Sequence, residues 1–375
     1  MTQKFKIQFR KVLVITIAWM AIGAVISVYD HFLLHSALSG GVGKEYGFAA
    51  NMTINIIAGC ISGIIFGSIL VFYVGNRFRS KPYWFTVLLV AVLYLVVFTL
   101  IVLCVGFFLV PYLVYDSSSG IASQDLMNTY VQDRGHIKNA IVWGLVVVIT
   151  QFTLQINDKF GQGVLWLIIR GRYQRPRTEN RIFMMLDLQS STTIAEKLGN
   201  EKYHDLLNDF FTDITNDIIY NRGEIYQYVG DQVVISWKMG VGVADNRCIE
   251  CFFAMRKTIF ELAEKYKSKY GLVPDFKAGI HYGSVIAGEI GIIKRDITFS
   301  GDVMNTTSRI QSMCNELNVK ILCSDKLLQL LTFTDRFVRV SVGDIELKGK
   351  ESKMALSTVE YLKTSFEKIV LAGKE

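Results

Sequence analysis

The chain reads as an all-α membrane domain of four helices followed by an α+β domain. Three observations predict this. Residues 1–157 carry four long uncharged runs. Charge density becomes ordinary from residue 170 onward. From residue 181 short apolar strands alternate with amphipathic helical stretches. With 375 residues, 51% hydrophobic and only 19% charged, and a mean hydropathy of +0.33, the chain is too apolar for one soluble globule.

The first run, Val12 to Tyr29, is long enough to span a bilayer. Its flank is basic and no small-residue cleavage site follows, so it reads as an anchor and not a removed signal peptide. The other runs are Tyr46–Asn76, Pro82–Tyr115 and Asn139–Asn157. The four spans are predicted at about 12–29, 52–74, 84–110 and 139–157. Gly59, Gly63 and Gly67, spaced by four, would let another helix approach closely, and Asn51, Thr53 and Asn55 precede them. Lys4, Lys6, Arg10 and Lys11, then Arg77, Arg79 and Lys81, put the N-terminus and the second connection on the cytoplasmic side. An even number of spans returns the chain there, so the α+β domain is expected in the cytoplasm of a cell with an inner membrane. Loops 31–45 and 116–138 would face outward.

Residues 158–180 read as a linker, with apolar Val164–Ile169 ahead of the basic Arg170–Arg177 stretch; 181–363 form the second domain and 364–375 a tail. Within that domain a strand at 182–187 leads to a helix near 192–218, a strand pair around Asp231 and a helix near 243–270. Strands at 276–288 and 296–299, a helix at 302–316, a strand at 319–323, a helix at 324–331, and strands at 336–348 and 354–361 complete it. Helices on a mostly antiparallel sheet make an α+β sandwich. Cys248 and Cys251 form a CxxC on the second helix with no partner motif, so they are expected as packed thiols and not a zinc site. The net charge of +7 is scattered or lies at membrane edges, which argues against nucleic-acid binding.

Two aspartates carry the chemistry. Asp187 ends the apolar run Ile182–Leu186 and is followed by Gln189-Ser190-Ser191-Thr192. Asp231 sits in the turn of Tyr226-Gln227-Tyr228-Val229-Gly230-Asp231-Gln232-Val233, a strand–turn–strand pattern. A carboxylate at each of two strand ends suits hard divalent cations that share substrate phosphates. Further on, Gly301-Asp302-Val303-Met304-Asn305-Thr306-Thr307-Ser308-Arg309 places Asn305 and Arg309 four apart on one helix face. Arginine offers a permanently charged fork for phosphate oxygens.

In this order the two aspartates and the Gly-Asp-x-x-Asn-x-x-x-Arg segment resemble the class III adenylate and guanylate (nucleotidyl) cyclases of the membrane-anchored bacterial type. The resemblance covers roughly 181–363. It implies a ferredoxin-like βαββαβ core and conversion of ATP to 3′,5′-cyclic AMP and pyrophosphate, in intracellular signalling. It implies two divalent ions, Mg²⁺ or Mn²⁺, held by Asp187 and Asp231 with the Leu188 carbonyl. Gln189, Ser190, Ser191 and Thr192 would bind the triphosphate from a helix N-terminus, with Lys348 or Lys350 of Leu347-Lys348-Gly349-Lys350. Asn305 would orient the ribose, and Arg309 would neutralise charge developing on the α-phosphate. The aspartates would come from one subunit and Asn305 and Arg309 from the other, so a homodimer is expected. Gln227 and Thr298 occupy the base-selecting positions. Gln227 departs from both the adenylyl and the guanylyl pattern, whereas Thr298 fits the adenylyl side. ATP is therefore the expected substrate and GTP the alternative.

Other readings are a catalytically silent nucleotide-binding domain, a diguanylate-cyclase or polymerase-like palm, and a transporter or receptor with a regulatory soluble half. The palm is disfavoured by Val-Gly-Asp-Gln-Val in place of its usual hairpin, and transport by the scarcity of charge inside the spans. His281 is expected to be structural.

Overall fold

The computed structural model describes residues 3–34, 47–78, 81–104, 134–160, 170–293, 295–333, 336–350 and 353–361. It divides into two compact units, Met1–Leu165 and Trp166–Glu375.

The first unit is helical: α1 (Gln3–Leu34), α2 (Phe48–Ser68), α3 (Tyr83–Cys104) and α4 (Arg134–Phe160). Each contains a stretch long and apolar enough to cross a membrane, at Phe5–Leu33, Asn51–Val74, Tyr83–Leu100 and His136–Asn157. Helix α1 continues to Leu34 and α4 starts at Arg134, shortening the loops expected at 31–45 and 116–138. Residues 35–45 and 116–133, the third span beyond 104, Val164–Ile169 and 364–375 lie outside the described residues. The glycine ladder of α2 packs on α1. A Cβ on Gly59 would lie 2.7 Å from the Trp19 carbonyl oxygen, and one on Gly63 2.7 Å from the Thr16 Cα. Only glycine admits that approach. Trp19 fills the centre, 1% exposed, and its Nε1 donates to Thr150 Oγ1 at 3.0 Å. The amides of Asn51 and Asn55 bond to each other, and Thr53 bonds back to Ala49. Helix α2 then continues through a wider π-helical stretch, Ile69–Val74, whose Leu70, Val71 and Val74 are buried.

The second unit is built on β1 (Arg177–Leu188), β2 (Glu224–Val229), β3 (Gln232–Lys238), β4 (Phe276–Ile290), β5 (Asp296–Ser300), β6 (Ile321–Ser324), β7 (Phe337–Ile345) and β8 (Met354–Tyr361). The sheet order is β2-β3-β1-β4-β6-β8-β7, with β5 pairing the far end of β4. Strand β1 starts ahead of 181 because Arg177–Asn180 pair with Ala287–Ser284 of β4. The long helix expected near 192–218 is two, α5 (Ser191–Leu198) and α6 (Asn200–Tyr220), broken where Gly199 takes φ 74°. The one expected near 243–270 likewise divides, after the short α7 (Met239–Val243), into α8 (Arg247–Glu261) and α9 (Ala263–Tyr270). Next come α10 (Asp302–Glu316) and α11 (Asp325–Leu328).

Alternation along the strands divides the sheet. One face buries Ile182, Met184, Leu186, Ile235 and Ile280 against Phe210 and Ile214 of α6 and Phe252 and Met255 of α8. Cys248 and Cys251 belong to this core, fully buried, and burial pushes the Cys248 thiol up to about 12. The other face carries Phe183, Met185, Val234 and Val285 and receives Val303 of α10. Helix α10 lies tight on β4: a Cβ on Gly279 would sit 2.4 Å from the Gln311 backbone nitrogen. Arg181, 1% exposed, bonds Glu179 at 2.8 Å and Glu224 at 2.7 Å, and its guanidinium stacks 4.5 Å from the Phe299 ring.

Candidate active site

Asp187 lies at the end of β1, where the sheet stops and the chain turns into α5. Asp231 closes the β2–β3 turn, and β3 pairs directly with β1, Asp187 opposite Gln232. The two carboxylates therefore meet at one sheet edge. Burial first, then the charge and hydrogen bonding of Asp231, push Asp187 up to about 6. Gln311 of α10 opposes this by donating Nε2–H to Asp187 Oδ2 at 3.4 Å. Tyr203 of α6 stands beside Ser191; burial and the Asp231 charge hold its phenol above the usual range.

The turn after Asp187 is shaped by Ser190, which adopts left-handed φ 58° before α5. Gln189 differs from its neighbours. Its backbone N–H donates to the Asp275 carbonyl at 2.8 Å, and its side-chain oxygen accepts from Lys320 at 2.6 Å. That leaves Ser190, Ser191 and Thr192 with amides facing outward from a helix start. They line a cavity of about 200 Å³ together with Asp187, Lys277 and Gln311. Lys277 pairs across from Asp187 in the β1–β4 register and is 6% exposed, with Nζ on Asn315 Oδ1 at 2.6 Å. The sequence reading missed Lys277 and Gln311. For Lys277 a signal was present, a single charged residue inside the apolar strand Phe276–Ile280.

Asn305 and Arg309 occupy a different side of α10. Arg309 Nη1 donates to the Gly349 carbonyl at 3.3 Å, and Lys350 is ion-paired to Asp302. Lys348 is exposed. At about 100° per residue, Arg309 and Gln311 project roughly 200° apart around the helix. Gln311 reaches Asp187, so Arg309 points away from the aspartates of its own chain. Gln227 on β2 and Thr298 on β5 each adjoin one member of the Tyr226–Phe299 ring pair, 4.9 Å apart, which brings their strands together. Gln227 is exposed. His281 Nδ1 lies 2.7 Å from Ser324 Oγ, and burial with Lys326 and Lys350 nearby pulls it down to about 4.

The donor set suits hard cations: two carboxylates in mutual repulsion, which a dication relieves. Among the described residues no group of three or more His, Cys, Asp or Glu side chains is arranged for a metal, so carbonyl and phosphate oxygens would complete the shell.

The family described as "Adenylate and Guanylate cyclase catalytic domain" matches residues 173–361. The chain belongs to this class III cyclase family. It is 36% identical over 206 residues to adenylate cyclase 2 of Rhizobium meliloti (strain 1021), 55% of this chain and 56% of that protein. To the adenylate cyclase of Anabaena cylindrica it is 23% identical over 190 residues, 49% of this chain and 37% of that one. The chain thus spans little more than half, or less, of the length of these relatives. A bacterial light-regulated adenylyl cyclase shares the cyclase fold, with TM-score 0.52 and 20% identity over 64% of this chain and 71% of that chain.

Proposed function

We propose that this chain is a membrane-anchored nucleotidyl cyclase that converts ATP to 3′,5′-cyclic AMP and pyrophosphate at a site shared by two copies. The observation that carries the shared site is the opposed projection of Arg309 and Gln311 from α10. Asp187 sits with Gln311, so an arginine acting at Asp187 must come from a second copy. Fully exposed Ile292 and Ile293, with Ile286 and Ile290 half or more exposed, offer apolar surface for self-association.

Asp187 and Asp231, with the Leu188 carbonyl, would hold two divalent ions, Mg²⁺ or Mn²⁺. Such ions supply activation of the ribose 3′-oxygen and charge neutralisation on the pyrophosphate leaving group. The amides of Ser190 to Thr192 and the Lys277 ammonium bind triphosphate oxygens. Lys348, free of the Asp302 pairing that holds Lys350, reaches the same phosphates from the second copy. That copy's Asn305 orients the ribose, and its Arg309 neutralises charge building on the α-phosphate. Gln227 and Thr298 face the purine. GTP is the runner-up substrate, because an exposed glutamine amide both donates and accepts. Basic residues flanking the spans put the N-terminus and the catalytic unit in the cytoplasm, with the helices in the inner membrane.

Complementation tests the reading. Asp231→Ala and Arg309→Ala chains are each inactive alone with ATP or GTP and Mn²⁺, cyclic products being separated by chromatography. Co-expressed, they pair at random, and half the dimers carry one intact site of two. About a quarter of wild-type activity returns. Inactive co-purified heterodimers would mean that the site is built within one chain.

A further inference from the structure

The turn that presents Ser190, Ser191 and Thr192 is held from behind by a strap of side chains. Three segments meet there: Gln189 just past β1, Asp275 just ahead of β4 and Lys320 just ahead of β6. Lys320 Nζ donates to Gln189 Oε1 at 2.6 Å and to Asp275 Oδ2 at 2.5 Å. The Asp275 carbonyl accepts the Gln189 N–H at 2.8 Å, and Asp275 Oδ1 accepts the Phe276 N–H at 2.9 Å. Lys320 is itself anchored, because its carbonyl accepts the Ala278 N–H at 2.9 Å where β6 runs parallel to β4.

Strands β1 and β4 pair as far as Leu188 and Phe276, and the bond from Gln189 to Asp275 extends that ladder by one residue. With Gln189 fixed through both backbone and side chain, the chain must leave the sheet at Ser190. Ser190 takes left-handed φ 58° and ψ 32°, a conformation that a serine keeps only where its surroundings impose it. Its side chain makes no capping hydrogen bond to α5, so local capping does not select this turn. Helix α5 starts at the next residue, and Ser191 and Thr192 line the cavity shared with Asp187 and Lys277. Lys320 and Asp275 do not line that cavity. We propose that Lys320 and Asp275 are positioning residues for nucleotide binding, whose strap on Gln189 fixes the turn that receives the triphosphate. The inference rests on the cyclase reading of this site. Lys320 acts through Gln189 and touches no phosphate.

Full-length protein in detergent with Mn²⁺ is titrated calorimetrically with inorganic tripolyphosphate, and turnover of ATP is followed in parallel. Lys320→Met should weaken tripolyphosphate binding and raise the KM for ATP by about tenfold each, as for the loss of one hydrogen bond to a charged group, with kcat changed less than about threefold. Lys320→Arg keeps a cation with several donors and should restore most of the loss. Gln189→Leu cuts the same strap at its other end. It should weaken binding as much as Lys320→Met does, and the double variant should be no worse than either single one. Were Lys320 a direct phosphate ligand, its release in Gln189→Leu would hold or strengthen binding; that result overturns the proposal. Lys265→Met breaks another partly exposed ion pair, 2.7 Å from Lys265 of α9 to Asp213 of α6. It should change thermal stability about as much as Lys320→Met while leaving tripolyphosphate binding and KM unaltered. An equal weakening in Lys265→Met, unchanged binding in Lys320→Met, or a wild type that binds no tripolyphosphate also overturns the strap. A wild type that binds tripolyphosphate but makes no cyclic nucleotide from ATP or GTP refutes the cyclase reading instead, and the binding measurements still decide the strap.

Discussion

Lowering the pH from 7 to 5 should weaken divalent-metal binding by about tenfold, and the reason is Asp187. Its carboxyl is half-buried and faces Asp231, which together push it up to about 6 from an ordinary 3.8. Only the ionised carboxylate binds a cation, so protons compete with metal. A group titrating near 6 is roughly 91% ionised at pH 7 and roughly 9% at pH 5, a tenfold difference, whereas an ordinary aspartate would stay about 93% ionised at pH 5. Gln311→Met removes the hydrogen bond that opposes the shift, so its midpoint should lie above that of the wild type. Mn²⁺ binding to the full chain without nucleotide, followed by the paramagnetic resonance signal of the free ion, measures this directly. The stability sign follows from linkage. The raised group contributes stability that is fully present below its unfolded value and lost as pH rises through about 6. The metal-free protein should therefore lose this contribution between about pH 4 and 6, and saturating Mn²⁺ should restore stability at pH 7. A change in Mn²⁺ affinity of less than twofold across that range would refute the assignment of Asp187 as a shifted metal ligand.

Gln227→Lys should raise discrimination for ATP over GTP and Gln227→Glu should shift it toward GTP, by roughly 5- to 150-fold for a hydrogen-bond mismatch of about 1–3 kcal/mol. Product ratios with both nucleotides measure it, and unchanged ratios in both variants would place base reading elsewhere. Arg181→Met takes from Glu179, a side chain only 14% exposed, its 2.8 Å partner and leaves it Arg172 at 3.6 Å, so it should cost up to about 3 kcal/mol in urea unfolding at pH 7. Burial raises the Glu179 carboxyl but Arg181 more than offsets it, so the pair's stability is present above the usual glutamate range and lost as pH falls; the variant's deficit should shrink below about pH 4. Gly279→Ala should cost about 1–3 kcal/mol by forcing α10 off β4. It should also weaken Mn²⁺ binding as Gln311 withdraws; a destabilised variant with unaltered Mn²⁺ affinity would separate Gln311 from the metal site.

The sequence alone determined what local chemistry can specify. Uncharged length marked the four helices, because a bilayer core accepts little else. Alternation and turn residues placed the strands, and the Asp187, Asp231, Asn305 and Arg309 pattern identified the cyclase family. It missed the breaks at Gly199 and after Glu261, because an amphipathic period continues across a single bend. It also missed Lys277 and Gln311, whose meaning depends on pairings 90 and 124 residues distant in the chain from Asp187. Tertiary structure decided which face of α10 meets β1. Gly279 lets the helix approach, the approach aims Gln311 at Asp187, and the helical repeat then turns Arg309 outward. It likewise gathered Gln8 and Lys11 of α1, Lys81 ahead of α3, and Gln151, Gln155 and Lys159 of α4 around one cavity. No local pattern encodes such clusters, because they exist only once the helices are packed.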